Sequence, residues 1–227
     1  MIVLALDTTT RHGSCALARD GTTLIEQTGD PRRSQAERLP GDLMSLLASA
    51  RVTLSEIDVF SVAVGPGSFT GLRVGIAAMQ GLAFAMGKPL VGVSALDALA
   101  RLADAPRVLT WVDAWRGEVY SALYEQGRAA GDPVVARPRD ILDALDPGPV
   151  LLIGDGALAH RDVTTELRAV QPRVADPAAP PLAGIVARLA TEAARSGHAP
   201  PPHAIRPLYV RRPDAELARR VTEERRP

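Results

Sequence analysis

Apolar and polar positions alternate along this chain in two blocks of similar design. The run IVLALD at 2–7 is continuous and apolar and stops on a carboxylate, the pattern of a buried strand. SCALAR at 14–19 and TTLIEQT at 22–28 flank Asp20-Gly21, a strong hairpin signal, so three strands open the fold. Leu39, Leu43, Leu46, Leu47 and Ala50 then recur at helical spacing and predict an amphipathic helix over 35–51, with Pro40 expected in its first turn. VFSVAV at 59–64 reads as another buried strand and empties into GPGSFTG at 65–71. A helix follows over 69–86. It is small or apolar around nearly its whole circumference and is stopped by Gly87-Lys88-Pro89. A strand at 90–93 and a short helix to about 103, capped by Ser94, complete the block.

The second block starts near Pro106. Strands are expected at 107–112, 118–124 and 133–137, then a helix at 138–145 and a strand at 150–153. The loop Gly154-Asp155-Gly156 and further helices follow, the last long one over 181–195. APPPHAIRP at 199–207 reads as a stiff, extended linker. The two blocks share a pattern, strand ending in Asp, hairpin, helix, then strand and Gly-rich turn, without a repeat at the level of residues.

Composition narrows the classes. An apolar fraction of 46% supports a true core, and with only 4% aromatics that core must be built from Ala, Val, Leu and Ile. The 26 basic and 26 acidic residues balance, which argues against bulk attraction to nucleic acid or anionic membrane. Only Lys88 among the basic residues is lysine, a pattern of GC-rich coding. The C-terminal stretch 206–227 holds seven Arg against four acids and reads as a solvated face, with Tyr209 its one aromatic. A single cysteine, Cys15, fits a reducing compartment and a small buried side chain. No basic segment precedes an apolar leader, and the longest apolar stretch, Val74 to Met86, is short for a bilayer, so a soluble cytoplasmic protein without membrane contact is expected.

Three loops could carry chemistry. In GPGSFTG, Gly65, Gly67 and Gly71 would let backbone approach an anion at a helix N-terminus, and Ser68 and Thr70 could add hydroxyls. A tightly packed turn without a ligand explains the same glycines, and no Walker-type Lys-Ser/Thr pair follows. Asp7 and Thr8 at the end of the first strand fit either a phosphate-facing loop or a plain Asx turn. Gly154 and Gly156 could pass beneath an adenosine or simply turn the chain. The histidines, His12, His160, His198 and His203, form no pair at metal-binding helical spacing, and no GxSxG elbow is present.

Five segments carry a resemblance: LALDTTT at 4–10, GPGSFTGLRVGIAAMQGLA at 65–83, KPLVGVSAL at 88–96, GEVYSALY at 117–124 and PLYVRRPDAE at 207–216. On these the chain closely resembles the bacterial TsaB (YeaZ) family, in register over essentially its whole length. The resemblance implies an α/β, two-lobed actin/sugar-kinase/Hsp70-like fold, with a first lobe over 1–103 and a second over 104–227. It implies a non-catalytic scaffold in formation of threonylcarbamoyladenosine at position 37 of ANN-decoding tRNAs. Such a scaffold pairs with its catalytic paralogue TsaD, is joined by the ATPase TsaE, and meets tRNA indirectly through the complex. TsaD carries a His-x-x-x-His metal pair after its KPLIGV-like strand; the matching positions here are Ala95 and Leu99, which cannot ligate a metal. The family commonly reads Asp-Ala-Arg before GEVY, whereas here Trp115 intervenes before Arg116.

An interaction protein is therefore the leading expectation. Leu39, Leu43 and Leu46 of the first helix and Leu72, Ile76 and Met79 of the second are the candidate partner face, which would also make the lone subunit a homodimer. No cofactor is required on this reading, although weak ATP or ADP binding at the loops is compatible with it. The alternative is an enzyme acting on its own, an ATP-dependent group transferase or glycoprotease-like hydrolase using Asp7 and the glycine loops.

Overall fold

The structure, a computed structural model, describes residues 1–165 and 170–210. The first lobe runs β1 (Ile2–Asp7), β2 (Ser14–Arg19), β3 (Thr22–Thr28), α1 (Gln35–Ala50), β4 (Val59–Gly65), α2 (Phe69–Met86), β5 (Leu90–Ser94) and α3 (Ala95–Leu102). The second runs β6 (Arg107–Asp113), β7 (Val119–Glu125), β8 (Arg128–Ala129), β9 (Val134–Ala136), α4 (Pro138–Asp143), β10 (Gly148–Ile153), α5 (Asp155–Ala159) and β11 (Val170–Val174); α6 (Ala183–Arg195) follows. The Arg-rich stretch beyond Val210, including most of PLYVRRPDAE, lies outside the described residues.

Each lobe is wired the same way. The sheet orders are β3-β2-β1-β4-β5 and β11-β10-β6-β7-β8, with β9 also on β7. In each, an antiparallel meander is followed by two parallel strands reached through helical crossovers. The doubled pattern of the sequence is thus a doubled topology. It is the two-lobed α/β architecture of the actin/sugar-kinase/Hsp70 class.

Local chemistry explains most boundaries. Asp20 and Gly21 both adopt positive φ (54° and 88°), as the tight β2–β3 hairpin requires. Ser34 and Glu37 form a capping box at the start of α1, with Glu37 accepting the Ser34 amide at 2.9 Å. Gly87 closes α2 at φ 62°. Pro40 departs from expectation: it sits in the second turn of α1, exposed, rather than in the first. The helix gives up one backbone bond there on its solvent side.

The first sheet has a helical layer on each face. Leu4, Leu6, Leu17, Phe60 and Val62 point to α1 and α2. The alternate residues Val3, Ala5, Ala16, Ala18 and Ala63 point to a second cluster shared with α3 and α6. That cluster also takes in Val108, Val112, Ala122 and Ile153 of the second sheet, so one core joins the lobes. α6 packs across the first sheet, on β1, β2 and β4, so the chain returns to the first lobe after Leu182. The proline-rich stretch expected to be a linker is instead a strap. Leu90 donates to the Pro200 carbonyl (3.2 Å), Gln80 to those of Pro202 (2.9 Å) and Ile205 (3.1 Å), and Leu208 to that of Val64 (2.7 Å). It covers the edge strand β5 and fixes residues 200–208 against α2.

α2 is, by length and composition, long and apolar enough to cross a membrane, more than the Val74–Met86 run suggested. Here Leu72, Ile76, Met79 and Ala83 are buried against the sheet.

Candidate functional site

Each lobe places a carboxylate at the carboxyl end of a parallel strand, Asp7 closing β1 and Asp155 following β10. Asp7 at the end of β1 is buried, and its Oδ1 accepts the amide (2.9 Å) and hydroxyl (2.7 Å) of Thr9. Burial pushes its carboxyl up to about 6; the Thr9 hydrogen bonds oppose that shift, and the charges of Asp155 and Glu26 add to it. Asp155, just after β10, accepts the Asp113 amide at 3.0 Å and is likewise raised, chiefly by burial. Carboxylates of the two lobes thus feel each other across the junction. Among the described residues, no group of three or more His, Cys, Asp or Glu is placed to hold a metal ion.

Asp7, Thr8, Gly65, Gly67, Ser68 and Gly71 do come together, and the contacts between them are packing contacts. A side chain at position 67 would meet the Thr9 carbonyl at 2.5 Å. One at 71 would overlap the Thr8 carbonyl, and one at 75 the Thr8 hydroxyl. The Ser68 amide donates to the Thr9 carbonyl at 2.7 Å, and the Ser68 hydroxyl accepts the Gly71 amide at 3.2 Å. The N-terminus of α2 is therefore capped by the protein's own groups. Gly154 (φ 123°) and Gly156 sit on the other lobe, where a Cβ at either position would press on the Trp111 carbonyl. Close packing gives each of these glycines a reason. The motif alone did not separate that reason from anion binding.

The expected partner face needs correction. Leu39, Leu43, Leu46, Leu72, Ile76 and Met79 are all 5% exposed or less and belong to the chain's own core. The most apolar stripe of each helix covers its own sheet, which is where burial removes the most surface from water. What remains outside is a second apolar surface. Met44 (61% exposed) lies on α1, Phe84 (80%) lies on α2, and the exposed small residues Gly41, Ala48, Ala77, Gly81 and Ala85 lie around them. The signal for it was present in the sequence, because α2 is small or apolar around nearly its whole circumference.

At the start of α2 a different cluster is exposed. The Phe69 and Tyr209 rings lie 5.7 Å apart, and the Arg73 guanidinium stands 3.8 Å above the Phe69 ring. On the facing lobe, Trp115 is 53% exposed at the β6–β7 turn, where Trp115 and Arg116 both hold positive φ (56° and 58°).

A family model, TsaD: tRNA N6-adenosine threonylcarbamoyltransferase, matches residues 30–218. An uncharacterized protein of Mycobacterium tuberculosis is 36% identical over 94% of this chain and 93% of its own. The tRNA threonylcarbamoyladenosine biosynthesis protein TsaB of Bacillus subtilis is 30% identical, covering 74% of this chain and 76% of its own. The structure of YeaZ from Pseudomonas aeruginosa superposes with TM-score 0.78 at 32% identity, over 92% of this chain and 99% of that one. The chain belongs to the TsaB family. Within that family frame, Ala95 and Leu99 take on structural meaning. The sequence resemblance sets them against the His pair of TsaD, and they are buried (0% and 3% exposed) in the core that joins the lobes. Side chains that serve the core there leave no donor facing solvent.

Proposed function

We propose that this chain is the non-catalytic partner of a TsaD-type transferase in the formation of tRNA threonylcarbamoyladenosine, acting in the cytoplasm. The observation that carries the reading is the outer surface of α1 and α2. There Met44 and Phe84 stand exposed among Gly41, Ala48, Ala77 and Gly81, small residues that let a second pair of helices approach closely. The occupant is a TsaD paralogue, whose equivalent helices would pack against this pair. In its absence a second copy of the chain would take the same place through a two-fold contact. TsaE would join that heterodimer, and no cofactor is required of this subunit. The names of the relatives support a part in tRNA threonylcarbamoyladenosine biosynthesis, and the burial of Ala95 and Leu99 in the core supports an adaptor rather than a transferase.

A second reading, an ATP-dependent transferase acting alone, rests on Asp7 and Asp155 approaching across the lobes. A hydrolase with a cysteine nucleophile finds less support, since burial pushes the Cys15 thiol up to about 12. Reconstitution with single omissions separates these readings. With synthase, TsaD, TsaE, ATP, threonine, bicarbonate and unmodified tRNA, modification should require both this chain and TsaD. Transfer by this chain without TsaD would establish the enzyme reading instead.

A further inference from the structure

We infer that the cavity bounded by α3, α6, β5 and β7 is a binding site for a free amino acid with an aliphatic side chain, held between Asp97 and Arg101.

The cavity measures about 360 Å³, at the small end of the range for ligand sites, which suits a compact molecule. Both lobes build it. β5, α3 and α6 supply Val91, Val93, Ala100, Leu189 and Ala193, and Tyr124 of β7 closes it from the second lobe. None of its walls belongs to the loops around Asp7, Gly65 or Gly154. The core that joins the lobes accounts for the buried Val91, Val93 and Tyr124. It does not account for the polar groups that share the cavity with them.

Asp97 and Arg101 stand one turn apart on α3, with the acid toward the N-terminus, the spacing and order that favour an ion pair. They form none. The Tyr124 hydroxyl donates to Asp97 Oδ1 at 2.5 Å, and the Arg101 guanidinium turns instead to Glu192 of α6, 3.4 Å from each carboxylate oxygen. Burial, and then the Asp97 hydrogen bond, push the Tyr124 hydroxyl above its usual range, so it remains a donor and holds Asp97 in place. Among the described residues no cation pairs with Asp97, whose Oδ2 is left open. The Arg101–Glu192 contact is long and half-exposed at both ends, the kind of surface pair that is worth little and that a ligand carboxylate can replace. Opposite charges are thus held apart on one cavity, each open to a group from outside.

A free amino acid matches this arrangement group by group. Its ammonium meets Asp97 Oδ2 and the Ser94 hydroxyl, and its carboxylate meets Arg101 and the His198 imidazole. An aliphatic side chain lies on Leu189 and Ala193, which offer no hydrogen-bonding group. A ligand with a single charge would leave one of the two ends unmatched. The bound molecule would also bridge the lobes, since Asp97 and Arg101 belong to the first and Tyr124 to the second.

The test is calorimetry of the full chain alone with L-leucine and L-valine, with L-leucinamide and isocaproate as the two single-charge analogues of leucine. Because no TsaD is present, the result does not depend on the partner reading. Saturable binding is expected at millimolar amino acid, and each analogue should bind at least about tenfold more weakly than L-leucine, through loss of one charge-assisted contact. Arg101→Gln should weaken L-leucine about tenfold and leave L-leucinamide unchanged. Asp97→Asn, which still accepts the Tyr124 hydroxyl, should weaken L-leucine equally and leave isocaproate unchanged. L-Threonine should bind more weakly than L-valine, because its hydroxyl would lie on Leu189 and Ala193 without a partner. Thermal melts check that each variant is folded, and L-leucine should raise the wild-type midpoint. Absence of saturable heat with both L-leucine and L-valine overturns the proposal, as does wild-type affinity in both folded variants. An analogue that binds as tightly as L-leucine, or threonine that binds as tightly as valine, overturns the assigned ligand class.

Discussion

The backbone amide of Ser68 donates to the carbonyl of Thr9 at 2.7 Å, so the loop that ends β1 closes over the N-terminus of α2. In a phosphate-binding loop, amides of this kind are left for the ligand. Here Gly67, Gly71 and Gly75 bring the helix close enough to Thr8 and Thr9 that no Cβ fits at any of the three. Gly71→Ala should therefore cost about 2–4 kcal/mol, because the Cβ would overlap backbone rather than a movable side-chain end. Urea unfolding measures the loss, and a neutral result would show that the loop can part. Calorimetry with ATP and magnesium follows the same logic. No binding heat is expected at millimolar nucleotide, and a saturable heat would mean that the two loops separate to admit it.

The Asp7 carboxyl has a pH signature. Its folded value of about 6 lies above the ordinary 3.8, so the folded chain holds this proton more tightly than the unfolded one. The contribution is favourable at low pH and is lost as pH rises from about 4 through about 6. Asp7→Asn keeps an oxygen to accept both Thr9 bonds and removes the buried charge. It should stabilise the chain at pH 8 by about 1–3 kcal/mol and do little at pH 4. Denaturant melts at the two values check the difference. In the reconstituted tRNA reaction the same variant should retain activity on the adaptor reading, and lose it if Asp7 is a catalytic group.

The partner surface gives a contrast between an exposed and a buried apolar position. Phe84→Asp places a charge on the exposed outer face of α2 and should leave the fold intact. It should weaken TsaD binding about thirtyfold or more, the effect of losing an interface anchor worth about 2 kcal/mol. Leu43→Asp places a charge in the α1–sheet core, where the side chain is 5% exposed, and should unfold the chain before any partner is met. Size-exclusion chromatography of Phe84→Asp should also show any self-association lost. Wild-type TsaD affinity in a folded Phe84→Asp would move the interface elsewhere.

Much of the fold was legible because local signals agreed with tertiary ones. Asp20-Gly21 predicted the hairpin that forms, Ser34 and Glu37 cap the helix expected over 35–51, and Gly87 ends α2 where the pattern breaks. The site was less legible. A glycine loop opening a helix looks the same in sequence whether its amides face a ligand or the Thr9 carbonyl, since the difference lies in a segment some sixty residues upstream. A helix apolar around nearly its whole circumference, such as α2, hides which stripe faces inward, so the buried Leu72, Ile76 and Met79 could not be told from the exposed Ala77, Gly81 and Phe84. The strap at 200–208 read as a linker because its hydrogen bonds run to Leu90, Gln80 and Val64, contacts that composition does not encode.

The start of α6 depends on the other end of the chain. α6 has no N-cap side chain of its own. Its first amides are taken by Ser14 of β2, whose hydroxyl accepts from Leu182 at 3.2 Å and Ala183 at 2.9 Å, and by Glu26 of β3, which accepts from Gly184 at 2.8 Å. Both strands belong to the first lobe, so these bonds tie the returning helix to the sheet it covers. Ser14 is 3% exposed, and water cannot easily replace its hydroxyl. Ser14→Ala should therefore cost about 1–2 kcal/mol, as loss of a buried cap does. Hydrogen exchange should locate the effect, with protection falling first at the amides of Leu182 and Ala183 while β10 and β11 keep theirs. Uniform loss across both lobes would mean instead that α6 and the first sheet unfold only together with the second.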